Sequence, residues 1–216
     1  MKILLTGFEP FGGEQINPSW EAVRRVTAPE GTELIRLCLP VTFEGARRAL
    51  RAAAEEYRPD VILSIGQAGG RQGISLERIA VNLMDARIPD NAGCEPVDEP
   101  LYPNGPAAYF STLPLRDLLA ALHEAEIPAA ISNTAGLYVC NAVFYEAARL
   151  QAQGSVARAG FIHVPYLPEQ AAEKGEPSLP LEQMIRAIEI VFEKLGRPAG
   201  KSLKKAGSRA IPSFLL

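Results

Sequence analysis

"FEGARRALRAAAEEYRPDVILSIGQAGG", Phe43 to Gly70, carries in one line the two periods that decide the fold. From Phe43 to Tyr57, Leu50 and the alanines recur on one side of an arginine- and glutamate-rich stretch, the stripe of an amphipathic helix. Val61–Ile65 is a near-continuous apolar run, the pattern of a strand buried on both faces in a parallel sheet. A glycine-rich loop, Gly66–Gly73, follows it. Helix, buried strand and glycine loop together are a repeating unit of an α/β layer.

The same alternation extends in both directions. Ile3–Thr6 reads as a strand, and Asn17-Pro18 opens a helix with an N-cap followed by proline at the first helical position. Leu34–Leu39, Ile74–Leu83, Ala129–Asn133 and Gly160–Val164 are further strand candidates. In the second of these, period-two alternation places Glu77 on one side with Ile79, Val81 and Leu83. Leu115, Leu118, Leu119 and Leu122 mark a helix by their spacing, another follows Gly136, and Leu181–Leu195 is the last. Pro89–Pro106 is a long proline- and acid-rich loop, a kind of segment that often carries function. The basic tail after Leu195 has no period and reads as a solvated segment. These elements predict an α/β sandwich with a mostly parallel central sheet, in one domain over 1–216.

Bulk properties narrow the function. A chain of 216 residues with 47% hydrophobic residues can bury a core that needs no disulfide or metal staple. A net charge of −3 with interspersed signs gives no footprint for nucleic acid. No apolar run approaches the ~20 residues of a membrane helix, and the N-terminus is too short in apolar residues for a secretory signal. Three cysteines, an odd number, fit a reducing compartment, so the expectation is a cytoplasmic protein. Two histidines without HExxH or CxxC spacing argue against a metal site, and neither glycine-rich loop has the lysine of a P-loop. No cofactor is expected.

Nucleophilic chemistry is better supplied. In "SNTAGLYVCNAVFYEAAR" (Ser132 to Arg149), a turn of small residues leads to Cys140 where a helical pattern begins. Cys140 is either a compact core residue or a sulfur whose thiolate the helix N-terminus favours. Cys38, mid-strand in "LIRLCLP", reads as core; Cys94, in "DNAGCEP", reads as exposed and without a base. His123 sits beside the leucine stripe and reads as a surface residue. His163 ends the run "GFIHV" before Pro165, at the carboxyl end of a strand, where α/β enzymes keep their chemistry. It is a base for Cys140 or a hydrogen-bonded core histidine. Glu77, on an apolar face, must be paired: with a histidine it would orient, or with an arginine such as Arg71 or Arg87.

Seven segments, "LLTGFEPFGG", "NPSWEAV", "GQAGGR", "ISLERIAVN", "DARIPDNAG", "SNTAGLYVCN" and "GFIHVPYLPEQ", run in order from residue 4 to residue 170. Together they resemble the type I pyroglutamyl peptidases. That resemblance implies an α/β/α sandwich and a cysteine peptidase that takes peptides with an N-terminal pyroglutamate. It implies Cys140 as nucleophile, His163 as base, Glu77 as orienting acid and Arg87 as an anion-stabilising group. It further implies that Phe8 and Phe11 wall the specificity pocket, that Asn17 and Gln67 lie near the substrate, and that the protein is a homotetramer. Two other classes share the architecture: a nucleoside-phosphorylase-like enzyme and a non-catalytic small-molecule binder.

Overall fold

The computed structural model describes residues 1–172 and 174–196. In chain order its elements are β1 (Lys2–Phe8), α1 (Pro18–Val23), β2 (Glu33–Leu39), α2 (Phe43–Tyr57), β3 (Val61–Gln67), β4 (Ile74–Glu77) and β5 (Ile79–Val81). They continue as β6 (Ala108–Phe110), α3 (Leu115–Glu124), β7 (Ala129–Ser132), α4 (Val139–Ala152), β8 (Arg158–Val164), α5 (Pro168–Ala172) and α6 (Leu181–Gly196). The solvated reading of the basic tail concerns residues outside the described ones.

The main sheet has the order β2-β1-β3-β8-β4-β7. Every neighbouring pair in it is parallel except β4 with β8. Strand alternation sorts the side chains into two cores. Ile3, Leu5, Leu63, Ile65, Ile162 and Val164 point to the layer that contains α1, α3 and α6. Leu4, Phe8, Ile62, Ala159 and Phe161 point to the opposite layer, where α2 and α4 lie with the β5–β6 ribbon. The expected α/β sandwich with a mostly parallel sheet is therefore the observed one. Asn17 caps α1 as read from the sequence, its side chain accepting from the Ser19 amide.

Two expectations need correction. The alternating stretch Ile74–Leu83 is not one strand. β4 ends at Glu77, and Ile79–Val81 pairs antiparallel with Ala108–Phe110 in a separate two-stranded sheet. Alternation is a local property and carries no information about which sheet a residue joins. Glu77 is instead oriented by its own four residues: Ile74 and Leu76 enter the α1/α3/α6 core, so Ser75 and Glu77 face α4. Cys38 is exposed rather than core, because β2 is the edge strand of the sheet and solvent reaches it.

The long loop between β5 and β6 is pinned rather than loose. Met84 and Glu99 exchange backbone hydrogen bonds, and the Ala86 amide donates to the Pro96 carbonyl. The buried Asp90 carboxylate accepts from the amides of Ala92, Cys94 and Phe43, so it caps α2 from outside that helix. Among the described residues no helix is long and apolar enough to cross a membrane.

Candidate active site

The site begins with a diagonal pair on two antiparallel strands. In the β4–β8 register Ser75 stands opposite His163 and Glu77 opposite Phe161, so Glu77 and His163 are diagonal neighbours on the face toward α4. Nδ1 of His163 donates to Oε1 of Glu77 at 2.8 Å, which leaves Nε2 as the ring's free acceptor. Glu77 is fully buried and His163 nearly so. A carboxylate in that position is costly unless paired. Its second partner is Arg71, whose Nη1 lies 3.0 Å from the same Oε1. Both readings of Glu77, histidine partner and arginine ion pair, hold at one oxygen. The other oxygen, Oε2, is buried and has no hydrogen-bond partner among the described residues.

The cysteine arrives on α4. Ser132 and Thr134 bend the chain after β7 through side-chain bonds to nearby backbone, and Gly136 follows with φ +78°, a conformation that suits glycine. Tyr138 is the N-cap and Cys140 the second helical residue. The first intrahelical bond runs from the Ala142 amide to the Tyr138 carbonyl, so the Cys140 amide has no acceptor within the helix. Gly66 on β3 makes room for the sulfur: a Cβ there would stand 2.9 Å from Cys140 Sγ and 2.7 Å from the Phe161 ring.

Asn141, beside the cysteine and almost fully buried, binds the Val81 amide and the carbonyls of Val81 and Leu83. It ties the first turn of α4 to the start of the long loop. Further along α4, the fully buried Glu146 binds Arg51, Arg149 and the Tyr102 hydroxyl, which fastens the other end of that loop.

Two influences on the Cys140 thiol oppose each other. The helix N-terminus favours a thiolate, but burial pushes the thiol up to about 12, with the Glu77 charge adding to the rise and Arg71 partly offsetting it. The residue keeps some exposed surface. Gly66 lies close against its sulfur, and burial is the largest cause of the rise. That rise favours the thiol over the thiolate, so its proton has to leave as the sulfur attacks.

Two cavities meet at this sulfur. The wider one, about 790 Å³, is lined by Cys140, His163, Arg71, Arg87, Gln67 and Phe11, among others. Beside it lies a small pocket of about 10 Å³, formed by Phe8, Phe11, Asn17, Gln67, Tyr138 and Cys140 with Val41 and Val139. That is room for about one water. The structure thus brings the expected residues to one place, with Glu77 behind His163. Their contacts differ from the simple expectation in two cases. Asn17 lines the pocket, yet Oδ1 accepts from the Ser19 amide and hydroxyl while Nδ2 donates to the Glu9 carbonyl. Phe8 is only 2% exposed and packs on Phe161, so it belongs to the core as much as to the pocket. Arg87 is exposed at the mouth, on a loop held by Asp90 and by the Tyr138 hydroxyl bond to the Pro89 carbonyl.

Sequence reasoning missed Asn141 and Tyr138. Asn141 gave a signal in principle, a polar residue on the buried side of a helix next to the cysteine. Tyr138 gave none, since its pocket position depends on the turn before α4. Cys94 is exposed as expected, and His123 is exposed with Nε2 bonded to the Ala129 carbonyl at 2.9 Å.

Comparisons with known proteins give the chain a family. The model of a family described as "Pyroglutamyl peptidase" matches residues 1–197. The pyrrolidone-carboxylate peptidase of Thermococcus onnurineus is 52% identical over 195 residues, covering 89% of this chain and 98% of that protein. The pyrrolidone-carboxylate peptidase of Bacillus licheniformis is 48% identical, covering 88% and 89%. Among solved structures, a mutant pyrrolidone carboxyl peptidase from P. furiosus superposes with a TM-score of 0.86 at 46% identity, covering 90% of this chain and 97% of that one. Pyroglutamyl peptidase I from Bacillus amyloliquefaciens gives 0.86 at 44% identity, covering 89% and 93%.

Proposed function

The chain belongs to the pyroglutamyl peptidase family, and we propose from that premise that it is a cysteine exopeptidase releasing N-terminal pyroglutamate from peptides, with Cys140 as nucleophile, His163 as base and Glu77 as orienting acid. The observation that carries the reading is the placement of Cys140 at the start of α4, in one cavity with a His163 whose Nδ1 is held by buried Glu77.

The chemistry follows from those positions. Sγ attacks the carbonyl that joins the lactam ring to the next residue, and its proton passes to Nε2 of His163. Glu77 stabilises the imidazolium so formed. The tetrahedral oxyanion is received by the Cys140 amide and by Arg87 at the mouth. As it collapses, the leaving amine takes the proton from His163 and a thioester remains on Cys140. Water, deprotonated by His163, then attacks that thioester, and pyroglutamate leaves as the thiol is restored.

Specificity follows from the small pocket beside Cys140. A lactam is flat and uncharged, with one N–H and one C=O to satisfy. Phe8 and Phe11 provide apolar walls and the Gln67 amide a polar group. Among the described residues, the lining of this small pocket includes no carboxylate to receive an ammonium. Phe11, half-buried at the edge of this pocket, is followed by Gly12 and Gly13, both at positive φ.

The rest of the reading is one catalytic domain over 1–216, a cytoplasmic location and a homo-oligomer, with four subunits suggested by the family. The cytoplasmic reading rests on the odd cysteine count. The test of the function is hydrolysis of a pyroglutamyl fluorogenic amide beside the prolyl and glutaminyl ones. Proline lacks the lactam oxygen and glutamine adds an ammonium, so only the first should be cleaved well. Comparable rates on all three would refute the assignment.

A further inference from the structure

Arg71 stands in the loop between β3 and β4, and its guanidinium reaches two parts of the site at once. Nη1 lies 3.0 Å from Oε1 of Glu77, the oxygen that also receives His163. Nη2 donates to the Thr134 carbonyl at 3.4 Å, in the turn that leads to Cys140. The side chain is 29% exposed where Glu77 is fully buried, and it lines the wide cavity with Cys140 and His163.

We propose that Arg71 is a positioning residue for the reaction, holding the buried Glu77 carboxylate as the charged partner of His163 and tying that pair to the turn before Cys140. This rests on the peptidase reading above. A carboxylate oxygen has two lone pairs, so it can serve both cations. Among the described residues, the ion pairs of Glu77 are with His163 and Arg71, and of these only Arg71 is charged in every state. With the thiol intact, the row Arg71, Glu77, His163, Cys140 reads plus, minus, neutral, neutral. After the proton moves from Sγ to Nε2 it reads plus, minus, plus, minus, each charge beside its opposite. Without Arg71, the buried negative charge draws a proton from solvent onto the Glu77–His163 pair. That proton occupies Nε2 or weakens the Glu77 contact, and either removes the base.

Other charged and titratable groups face the same space. Cys140 comes from α4; Asp85 and Arg87 from the β5–β6 loop; Glu14 from the loop after β1; Tyr138 from the turn before α4; and Tyr166 and Lys174 from the segments around α5. None of these is in an ion pair with Glu77 among the described residues. Arg71 also offsets part of the rise that burial and Glu77 impose on the Cys140 thiol.

The experiment compares Arg71→Gln and Arg71→Lys with the wild type. It measures kcat and KM for a pyroglutamyl amide across pH, per titrated Cys140 thiol, and the iodoacetamide rate against pH without substrate. Arg71→Gln should lower kcat by ~10- to 100-fold, change KM by less than ~3-fold, and move the acid limb of kcat up by about one pH unit. Arg71→Lys keeps the charge but not the fork, so the limb stays and kcat recovers in part. A kcat per thiol within ~2-fold of wild type for Arg71→Gln, a change confined to KM, or an unmoved limb would overturn the proposal. If Arg71→Gln does not fold, Arg71→Met takes its place under the same criteria: kcat per thiol within ~2-fold of wild type, or an unmoved limb, overturns the proposal. If the wild type does not cleave the amide, the peptidase reading fails, and the alkylation arm still judges Arg71. A slower Cys140 reaction shifted to higher pH in Arg71→Gln supports the proposal; an unchanged profile refutes it.

Discussion

Gly66 and Cys140 share one space: the sulfur of the cysteine lies 2.9 Å from where a side chain at residue 66 would begin. The same Cβ would stand 2.7 Å from the ring of Phe161, which is fully buried and cannot step aside. Gly66→Ala should therefore push Sγ out of line with His163. A displacement of that kind costs up to ~100-fold in turnover, and the overpacking ~1–3 kcal/mol in stability. Steady-state kinetics with a denaturant melt checks both. Normal kcat with intact stability would mean that the sulfur does not need this position.

Phe8 and Phe11 should separate. Phe8 is core as well as wall, so Phe8→Ala should destabilise the fold by ~3–5 kcal/mol along with any loss of binding. Phe11 is only half-buried, so Phe11→Ala should leave the melting temperature nearly unchanged. It should raise KM by an amount equivalent to ~1–3 kcal/mol. Equal losses of stability in both variants would contradict this division.

The pH behaviour of Cys140 follows from its surroundings. Burial and Glu77 push the thiol up to about 12, so the neutral form prevails below that value and the thiolate appears only as pH rises. Iodoacetamide alkylation of the free enzyme, mapped to Cys140, should keep accelerating above the ~8.5 of an unperturbed thiol. A rate plateau already reached below neutral pH would show a preformed thiolate and remove the concerted proton transfer to His163.

The course of the chain explains what the sequence could and could not tell. The helix Phe43–Tyr57 and the strand from Val61 to Ile65 are legible because their periods reflect which faces are buried, though the strand runs on to Gln67. Cys140, His163 and Glu77 were legible as types in suitable places: the start of a helix, the end of a strand, an acid that needs a partner. The sharing of one Glu77 oxygen was not, because Arg71 lies in a loop without period and His163 is 86 residues away. The break after Glu77 was equally hidden, since Ile79–Val81 continues the alternation while joining another sheet. The rise of the Cys140 thiol depends on tertiary burial, and a local reading of the helix end gave the opposite direction.

Glu77→Gln keeps the size of the side chain, removes its charge and favours the wrong histidine tautomer. Turnover should fall roughly 10- to 1000-fold with KM little changed. Active-site titration normalises for misfolded enzyme. Normal turnover per titrated thiol would confine Glu77 to its ion pair with Arg71.

The central claim is that Cys140 Sγ carries the pyroglutamyl group. Acid-quenching the enzyme during turnover of a pyroglutamyl amide, then mapping peptides by mass spectrometry, tests it directly. The account predicts a pyroglutamyl thioester on the peptide that contains Cys140, absent from Cys140→Ser and from the peptides of Cys38 and Cys94. Turnover with no acyl group on Cys140, or with the group on another residue, would contradict it.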